Sequence, residues 1–520
     1  MADPRNRRRF LTDVGRGTLL ATLGPAVALD LALVKPGFAE EPDTSLKFGN
    51  LEPLVCLLQE TPVDRLQKKL VELLAAGESP KSLIAAGALS NARTFGGEDY
   101  IGFHTFMALA PALKMSSIMP AGAEALPIFK VLYRNSQRIN DVGGRSAETL
   151  HAVSQPDPSA LVTAADLYSA IRARETDRSE QLLAALTSAD RQTALDALIP
   201  AVQDNPEVHR TVLPYRAWAM QDIVGTEHAL TLLRQSLRYC LKSEPHRRAE
   251  WDEHSRMLVG LLDEYHLNGA QPGQKAADDD FVRHLTETFA TASPEDSARA
   301  AASALKEGFS PGAIGEALSL AASHLVLMDG GRLPQWEDRL KPAGTVHGDS
   351  VGVHASDAAN AWRNLAAVSS GRNQFACLIL GAWQIARDRM NPGNLLKEPL
   401  PVKYQLDRFA KADPASLITS LHDSVRNNLQ AHSSAVVHCC GQAGVPAEQV
   451  FSALLKYAVS EDGALHAEKY FYTVWDDFHA TRPSARWQHL VALARVTASE
   501  FGRPAAGQEE ARELLGLKST

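Results

Sequence analysis

One short pattern recurs along the chain and limits what the chain can fold into. It consists of an acidic residue, a small residue three positions later and a histidine two positions after that, followed by an apolar segment. Three copies centre on His104, His354 and His466, and a fainter copy without the acidic residue centres on His228. A motif that returns at long intervals is typical of a chain built from degenerate structural repeats.

Each copy follows two predicted helices with recognisable start signals. The later helix of each pair opens with a proline, at Pro80, Pro206, Pro311 and Pro446. The earlier helix opens near Thr61, Ser188, Ser293 and Asp413. Ser, Thr and Asp supply capping oxygens, and proline in the first turn loses no needed N–H donor. Alternating runs typical of strands are nearly lacking. We therefore expect an all-α protein of about four degenerate helical units that form a curved α-superhelix or a toroid-like bundle.

The first 39 residues have the layout of a cleavable export signal. The basic stretch RNRRRFLT is followed by a modestly apolar run and a small-residue exit that ends at Ala39. Charged residues, glycine and proline interrupt the run, which argues against a membrane helix. Arg7, Arg8, Phe10 and Leu11 resemble the motif of twin-arginine signals. The resemblance implies a bacterial protein exported by the twin-arginine machinery into the periplasm or beyond; the alternative is a basic tail.

The remaining chain is predicted to form two lobes of two units each. A polar, Gly-containing stretch at 268–279 separates a first lobe, 40–270, from a second lobe, 271–520. The chain carries 53 Lys and Arg against 61 Asp and Glu, a net charge of −8, which argues against a nucleic-acid partner. No later stretch is long and apolar enough to predict a stable transmembrane anchor.

The histidines are the main candidates for chemistry. Imidazole is the commonest metal ligand in proteins, so equivalent histidines at helix starts predict a shared metal centre, with iron or another transition metal as the expected ion. The predicted ligands are His104, His347, His354 and His466. Asp349 is a candidate catalytic residue or a partner that orients a histidine, and Asp99 and Glu461 hold equivalent places. The alternative is that each histidine only caps or packs within its own unit.

A second candidate group follows His466. Lys469 and Tyr470 lie three and four residues later, so on a helix all three share a face. Lys469 and Tyr470 are therefore predicted catalytic residues that act as acid, base or oxyanion partner. The aromatic residues of this segment also fit an ordinary packing stripe. The chain lacks the nucleotide-binding loops GxGxxG and GxxxxGK[ST].

Four segments resemble the questin oxidase-like family of all-helical proteins. They are GFHTFMALAPAL, GAIGEALSLAASH, TVHGDSVGVHASDAANAWRNL and ALHAEKYFYTVWDDF. The resemblance implies oxygen insertion into aromatic ketones, with His104, His354, His466 and Lys469 as the positions that carry over.

Two classes of function follow from these observations. The first is an exported, metal-dependent oxidoreductase or oxygenase, with a histidine-lined central cavity and a small-molecule substrate. The alternative is a non-catalytic helical-repeat scaffold that binds a protein partner or an envelope component. An enzyme should bring the histidines together, whereas a scaffold should leave each one within its own unit. Passive metal storage would show the cluster without a substrate cavity.

Overall fold

The structure is a computed structural model that describes residues 45–520, except 155–160, 340, 349, 391–393 and 518–520. The predicted export signal, 1–39, and the candidate Asp349 lie outside the described residues. From Lys47 onward the described chain forms one compact unit.

The described residues form 23 α-helices and no β-strand, which confirms the all-α prediction. In chain order the helices α1 to α23 are Glu52–Glu60, Val63–Ala75, Pro80–Phe95, Tyr100–Ser116, Leu126–Val142, Ala164–Arg172, Thr176–Ala189, Arg191–Gln203, Val208–Val224, Ala229–Ser243, Ala249–Glu264, Asp279–Thr291, Pro294–Lys306, Pro311–Met328, Val351–Val368, Arg372–Met390, Lys403–Phe409, Pro414–Arg426, Gln430–Gln442, Ala447–Ser460, His466–Ala480, Trp487–Glu500 and Gln508–Leu514.

Several helices begin where the sequence signals place them. Pro80 and Pro311 are the first residues of α3 and α14. Ser293 accepts a hydrogen bond from a backbone N–H of α13, and Asp413 does the same for α18. These predictions hold because a helix cap is a local hydrogen bond between a side chain and a backbone N–H two or three residues later.

Two start signals are displaced. Ser188 lies inside α7, and the cap of α8 is Asp190, whose side chain accepts from the Thr193 N–H. Pro206 precedes α9, which begins at Val208. In both places an acidic side chain next to the first turn is the capping group, because a carboxylate also suits the positive end of the helix.

Four helices pack in a closed ring. Helix α4 packs against α9 and α21, and α15 packs against the same two helices. Helices α4 and α9 precede the predicted lobe boundary near residue 270, and α15 and α21 follow it. The boundary itself and the repeat or superhelix arrangement stay predictions.

Helix α14 is the one described helix with the length and apolar composition needed to cross a bilayer. Its window is 78% buried inside the protein, and core helices often meet the same criteria.

Candidate metal centre

Four histidines meet where the helices of the ring begin. His104, His209, His354 and His466 each lie within the first five residues of α4, α9, α15 and α21, respectively. Their ring centroids are 4.8 Å apart for His104 and His209, 5.1 Å for His104 and His466, and 5.6 Å for each of the other two neighbouring pairs. We call these four residues the histidine cluster.

His104 and His209 direct their Nε2 atoms at each other across 3.2 Å. The other nitrogen of His104, Nδ1, lies 2.7 Å from the carbonyl oxygen of Tyr100, which can only accept, so Nδ1 carries the proton. His209 Nδ1 lies 3.4 Å from a carboxylate oxygen of Glu207. In the tautomers that place both protons on Nδ1, the two Nε2 lone pairs face each other and repel, and a cation between them removes the repulsion. In the other tautomer of His209, its Nε2–H donates to His104 Nε2. Two nitrogens bound at about 2.1 Å to one tetrahedral ion would be roughly 3.4 Å apart.

Glu207 fixes this orientation. Its carboxylate caps α9 by accepting from the backbone N–H groups of His209, at 3.0 Å, and Arg210, at 2.6 Å, and it accepts from the Tyr239 hydroxyl at 2.9 Å. Burial alone would raise the pKa of Glu207, but the hydrogen bonds from His209 and Tyr239 help to lower it to about 2. An ionised carboxylate behind an imidazole is the usual partner of a metal-binding histidine.

The surroundings keep the imidazoles of His104 and His466 neutral. Burial lowers the pKa of His104 and of His466 far below the ordinary value, and the positive charge of Lys469 adds to the effect. Four helix N-termini also direct partial positive charge toward the cluster. Neutral imidazole is the form that binds a metal ion.

His347 lies beside the cluster. It is buried, and its Nε2 lies 4.0 Å from a carboxylate oxygen of Glu500. The next residue, Gly348, packs so tightly against His466 that an added Cβ would lie 2.0 Å from the His466 Cβ. The structure therefore brings three of the four predicted ligands together and places His347 near His466, where its charge helps to lower the pKa of His466.

His209 is the residue that the repeat pattern missed. The pattern pointed instead to His228, whose ring packs against Phe48 away from the cluster. The available signal was Glu207 two residues before His209, directly after Pro206, because a carboxylate near a histidine at a helix start suits a metal ligand.

The predicted orienting carboxylates serve other groups. Asp99 accepts from the Gly102 N–H at 2.7 Å and pairs with Arg138, with the closest contact at 2.6 Å. Glu461 accepts from the backbone N–H groups of Gly502 and Arg503. Neither arrangement orients a histidine of the cluster through a hydrogen bond.

Lys469 lies one turn after His466 on α21 and is almost fully buried. Burial lowers its pKa to about 8, and the negative charge of Asp357 opposes that shift. Asp357 lies one turn after His354 on α15 and accepts from the Thr473 hydroxyl at 2.9 Å. Burial raises the pKa of Asp357. An amine and a carboxyl with opposite shifts next to one centre can hold and move a proton near neutral pH.

Arg216 adds a second buried cation. It lies two turns after His209 on α9, and its guanidinium packs over the rings of Tyr215 and Tyr472 at 4.9 and 4.6 Å. With Lys469 and the helix N-termini it gives the centre a positive potential, which favours an anionic or oxygen-bearing ligand.

Tyr470 faces a different void. It is buried and borders a cavity of about 10 Å³ together with Ala467 and Glu500. Burial raises its pKa well above the ordinary value, so its hydroxyl stays protonated.

Five cavities in the described chain are lined by residues other than the histidine cluster. In the same part of the chain no group of three or more His, Cys, Asp or Glu side chains is arranged so that it could hold a metal ion.

Comparisons with known proteins give no relative. No protein-family model matches the sequence, and no curated protein or solved structure is significantly similar to it. The resemblance to the questin oxidase-like family stays a prediction.

Proposed function

We propose that the histidine cluster binds a transition-metal ion and that the protein is a metal-dependent oxidoreductase acting on a small molecule. The observation that carries the proposal is the pair of Nε2 atoms of His104 and His209, 3.2 Å apart. Each ring has its Nδ1 close to an oxygen, so the tautomer with its proton on Nδ1 leaves each Nε2 available as a ligand atom.

The residues of the cluster fit such an ion. Imidazole nitrogens suit zinc, copper, iron and nickel, whereas calcium and magnesium prefer oxygen. His104 and His209 would hold the ion first. His354 and His466 would complete the set through small rotations of their rings, because their centroids lie within 5.6 Å of their neighbours in the cluster.

The reaction class rests on three supports. A bound transition metal supplies Lewis-acid or redox chemistry. Lys469 and Asp357 would hold and move protons beside it. The resemblance to the questin oxidase-like family implies oxygen chemistry, and the proposed twin-arginine signal suits a protein that acquires its metal before export. The scaffold alternative requires histidines that are far apart, so the clustering favours a metal-binding centre over the scaffold.

The test is the metal content of the full-length protein, purified from the cytoplasm and from the exported fraction. We expect near-stoichiometric iron, copper, zinc or manganese in the wild type. His209→Ala and His354→Ala should lose most of it. His228→Ala is the matched control, because His228 occupies the corresponding place in the repeat pattern without touching the cluster, and it should keep its metal.

Two results would count against the proposal. If the wild-type protein is folded but metal-free in both fractions, the histidines are packing residues. The non-catalytic scaffold would then be the better explanation of the function. Bound metal without oxygen consumption or any electron transfer to added dyes would leave metal storage as the function.

A further inference from the structure

A large cavity lies on another part of the molecule. It encloses about 540 Å³, a size typical of small-molecule sites. Its wall comes from the segment before α5 and from helices α18, α20 and α23. The apolar members of the wall are Met119, Pro120, Ala123, Leu126, Ile418, Ala453, Leu455 and Val459.

A second cavity of about 620 Å³ adjoins the first. The two share Lys456, Ser460, Gln508 and Arg512 in their walls. The shared residues are polar or cationic, so the apolar cavity ends at a polar junction. We call the two cavities together the α20 groove.

The junction carries positive charge. Lys456 is partly buried, and burial together with the charges of Arg426 and Arg512 lowers its pKa. Within the described residues no carboxylate lies within ion-pair distance of the Lys456 ammonium. Four carboxylates line the second cavity: Glu461 at the end of α20, and Glu509, Glu510 and Glu513 on α23. A cation held next to two others and without a carboxylate partner favours an anion at that point.

We propose that the α20 groove binds a long-chain carboxylate, such as a free fatty acid. The hydrocarbon tail would fill the apolar cavity, and the carboxylate would pair with Lys456 at the junction. Burial of the tail would supply most of the affinity, and the ion pair would set the orientation and the preference for an anion. This site is independent of the histidine cluster.

The test measures the binding of dodecanoate and of dodecanol to the full-length protein by titration calorimetry. We expect dodecanoate to bind about tenfold or more tightly than dodecanol, because an ion pair in a partly buried site contributes at least that factor. Lys456→Met should remove this preference and leave dodecanol binding unchanged. Ile418→Trp should weaken both ligands by filling the apolar cavity.

Lys411→Met is the control, since Lys411 is exposed and lines neither cavity. It should bind both ligands as the wild type does. Equal affinity for the two ligands in the wild type, or a dodecanoate preference that survives Lys456→Met, would overturn the proposal. Absence of binding by folded wild-type protein would overturn it as well.

Discussion

At the scale of single residues, the candidate centre depends on which nitrogen of each imidazole carries the proton. His104 is set by a backbone carbonyl, whereas His209 is set by the side chain of Glu207. A side-chain partner can be substituted without changing the backbone. A substitution at Glu207 can therefore test how the orientation of His209 affects the centre. An amide at this place keeps the size and one of the two capping oxygens but loses the charge.

Glu207→Gln should therefore weaken metal binding by roughly 10- to 100-fold while the protein stays folded, because His209 would lose the carboxylate that orients it. Competition with a chromophoric chelator measures the change. Glu227→Gln is the matched control, since the Glu227 side chain is 70% exposed and lies next to His228 rather than the cluster. Unchanged affinity in Glu207→Gln would show that His209 is not a ligand.

A second buried histidine gives a prediction about pH. His489 lies between the hydroxyls of Ser323, at 2.6 Å, and Thr481, at 2.9 Å. Burial lowers its pKa to about 3. The unfolded chain binds a proton on this residue below about pH 6.5, and the folded chain does not. Its contribution to stability is thus complete above that pH and is lost as the pH falls toward about 3.

Urea unfolding between pH 7 and pH 4 should show the effect of His489 as a difference in how steeply the free energy of unfolding changes with pH. The wild type should lose about 1.4 kcal/mol per pH unit more than His489→Gln, which corresponds to one proton. The exposed His479→Gln should follow the wild type. Parallel curves for His489→Gln and the wild type would mean that His489 is protonated in the folded state.

At the scale of elements, each histidine of the cluster depends on the start of its helix. Asp99 caps α4 and also ties it to α5 through Arg138. Asp99→Ala removes both interactions, whereas Asp99→Asn keeps the cap. We expect a loss of about 1–2 kcal/mol in the free energy of unfolding for the alanine variant and less than half of that for the asparagine variant.

The same pair of variants tests how α4 positions His104. Metal affinity should fall in Asp99→Ala and stay near the wild-type value in Asp99→Asn, because the first turn of α4 frays without its cap. Chemical denaturation and chelator competition on the same samples give both quantities. Equal losses in the two variants would assign the effect to the Arg138 ion pair instead of the cap.

The sequence predicts elements better than it predicts the site. Ser293 and Asp413 are confirmed as caps because a cap depends on neighbouring residues. The convergence of His104, His354 and His466 fits the repeat pattern. His209 escaped the pattern because Glu207 stands two residues before it, where the other copies have a small residue. His347 was predicted as a ligand, and the structure places the residue after it, Gly348, directly against His466.

At the scale of the whole molecule, buried charge joins distant parts of the chain. Lys130 on α5 forms a fully buried ion pair with Glu468 on α21, and it donates to the carbonyl oxygens of Ala458 and Glu461 at the end of α20. The pair thus connects the N-terminal helices to the helix that carries His466. Removing one partner leaves the other charge buried without compensation.

Lys130→Met should lower the free energy of unfolding by about 3–5 kcal/mol. The double variant Lys130→Met with Glu468→Met should recover a large part of that loss, since both charges are then gone. Guanidinium denaturation of the two variants and the wild type measures the difference. Additive losses in the double variant would show that the two residues act independently.

The closed ring of α4, α9, α15 and α21 has a consequence for when a metal ion could enter. Each of the four helices contributes one histidine, and the four are far apart in the chain, so an incomplete or partly folded chain offers no shared binding point. An ion that binds only the finished fold stabilises it by mass action, by about 4 kcal/mol at a thousandfold excess over Kd. A bound metal ion would then indicate that the C-terminal helices of the ring have packed against the N-terminal ones. A chain exported in the folded state, as the proposed signal requires, would carry the metal of the compartment where it was made rather than of the one where it works.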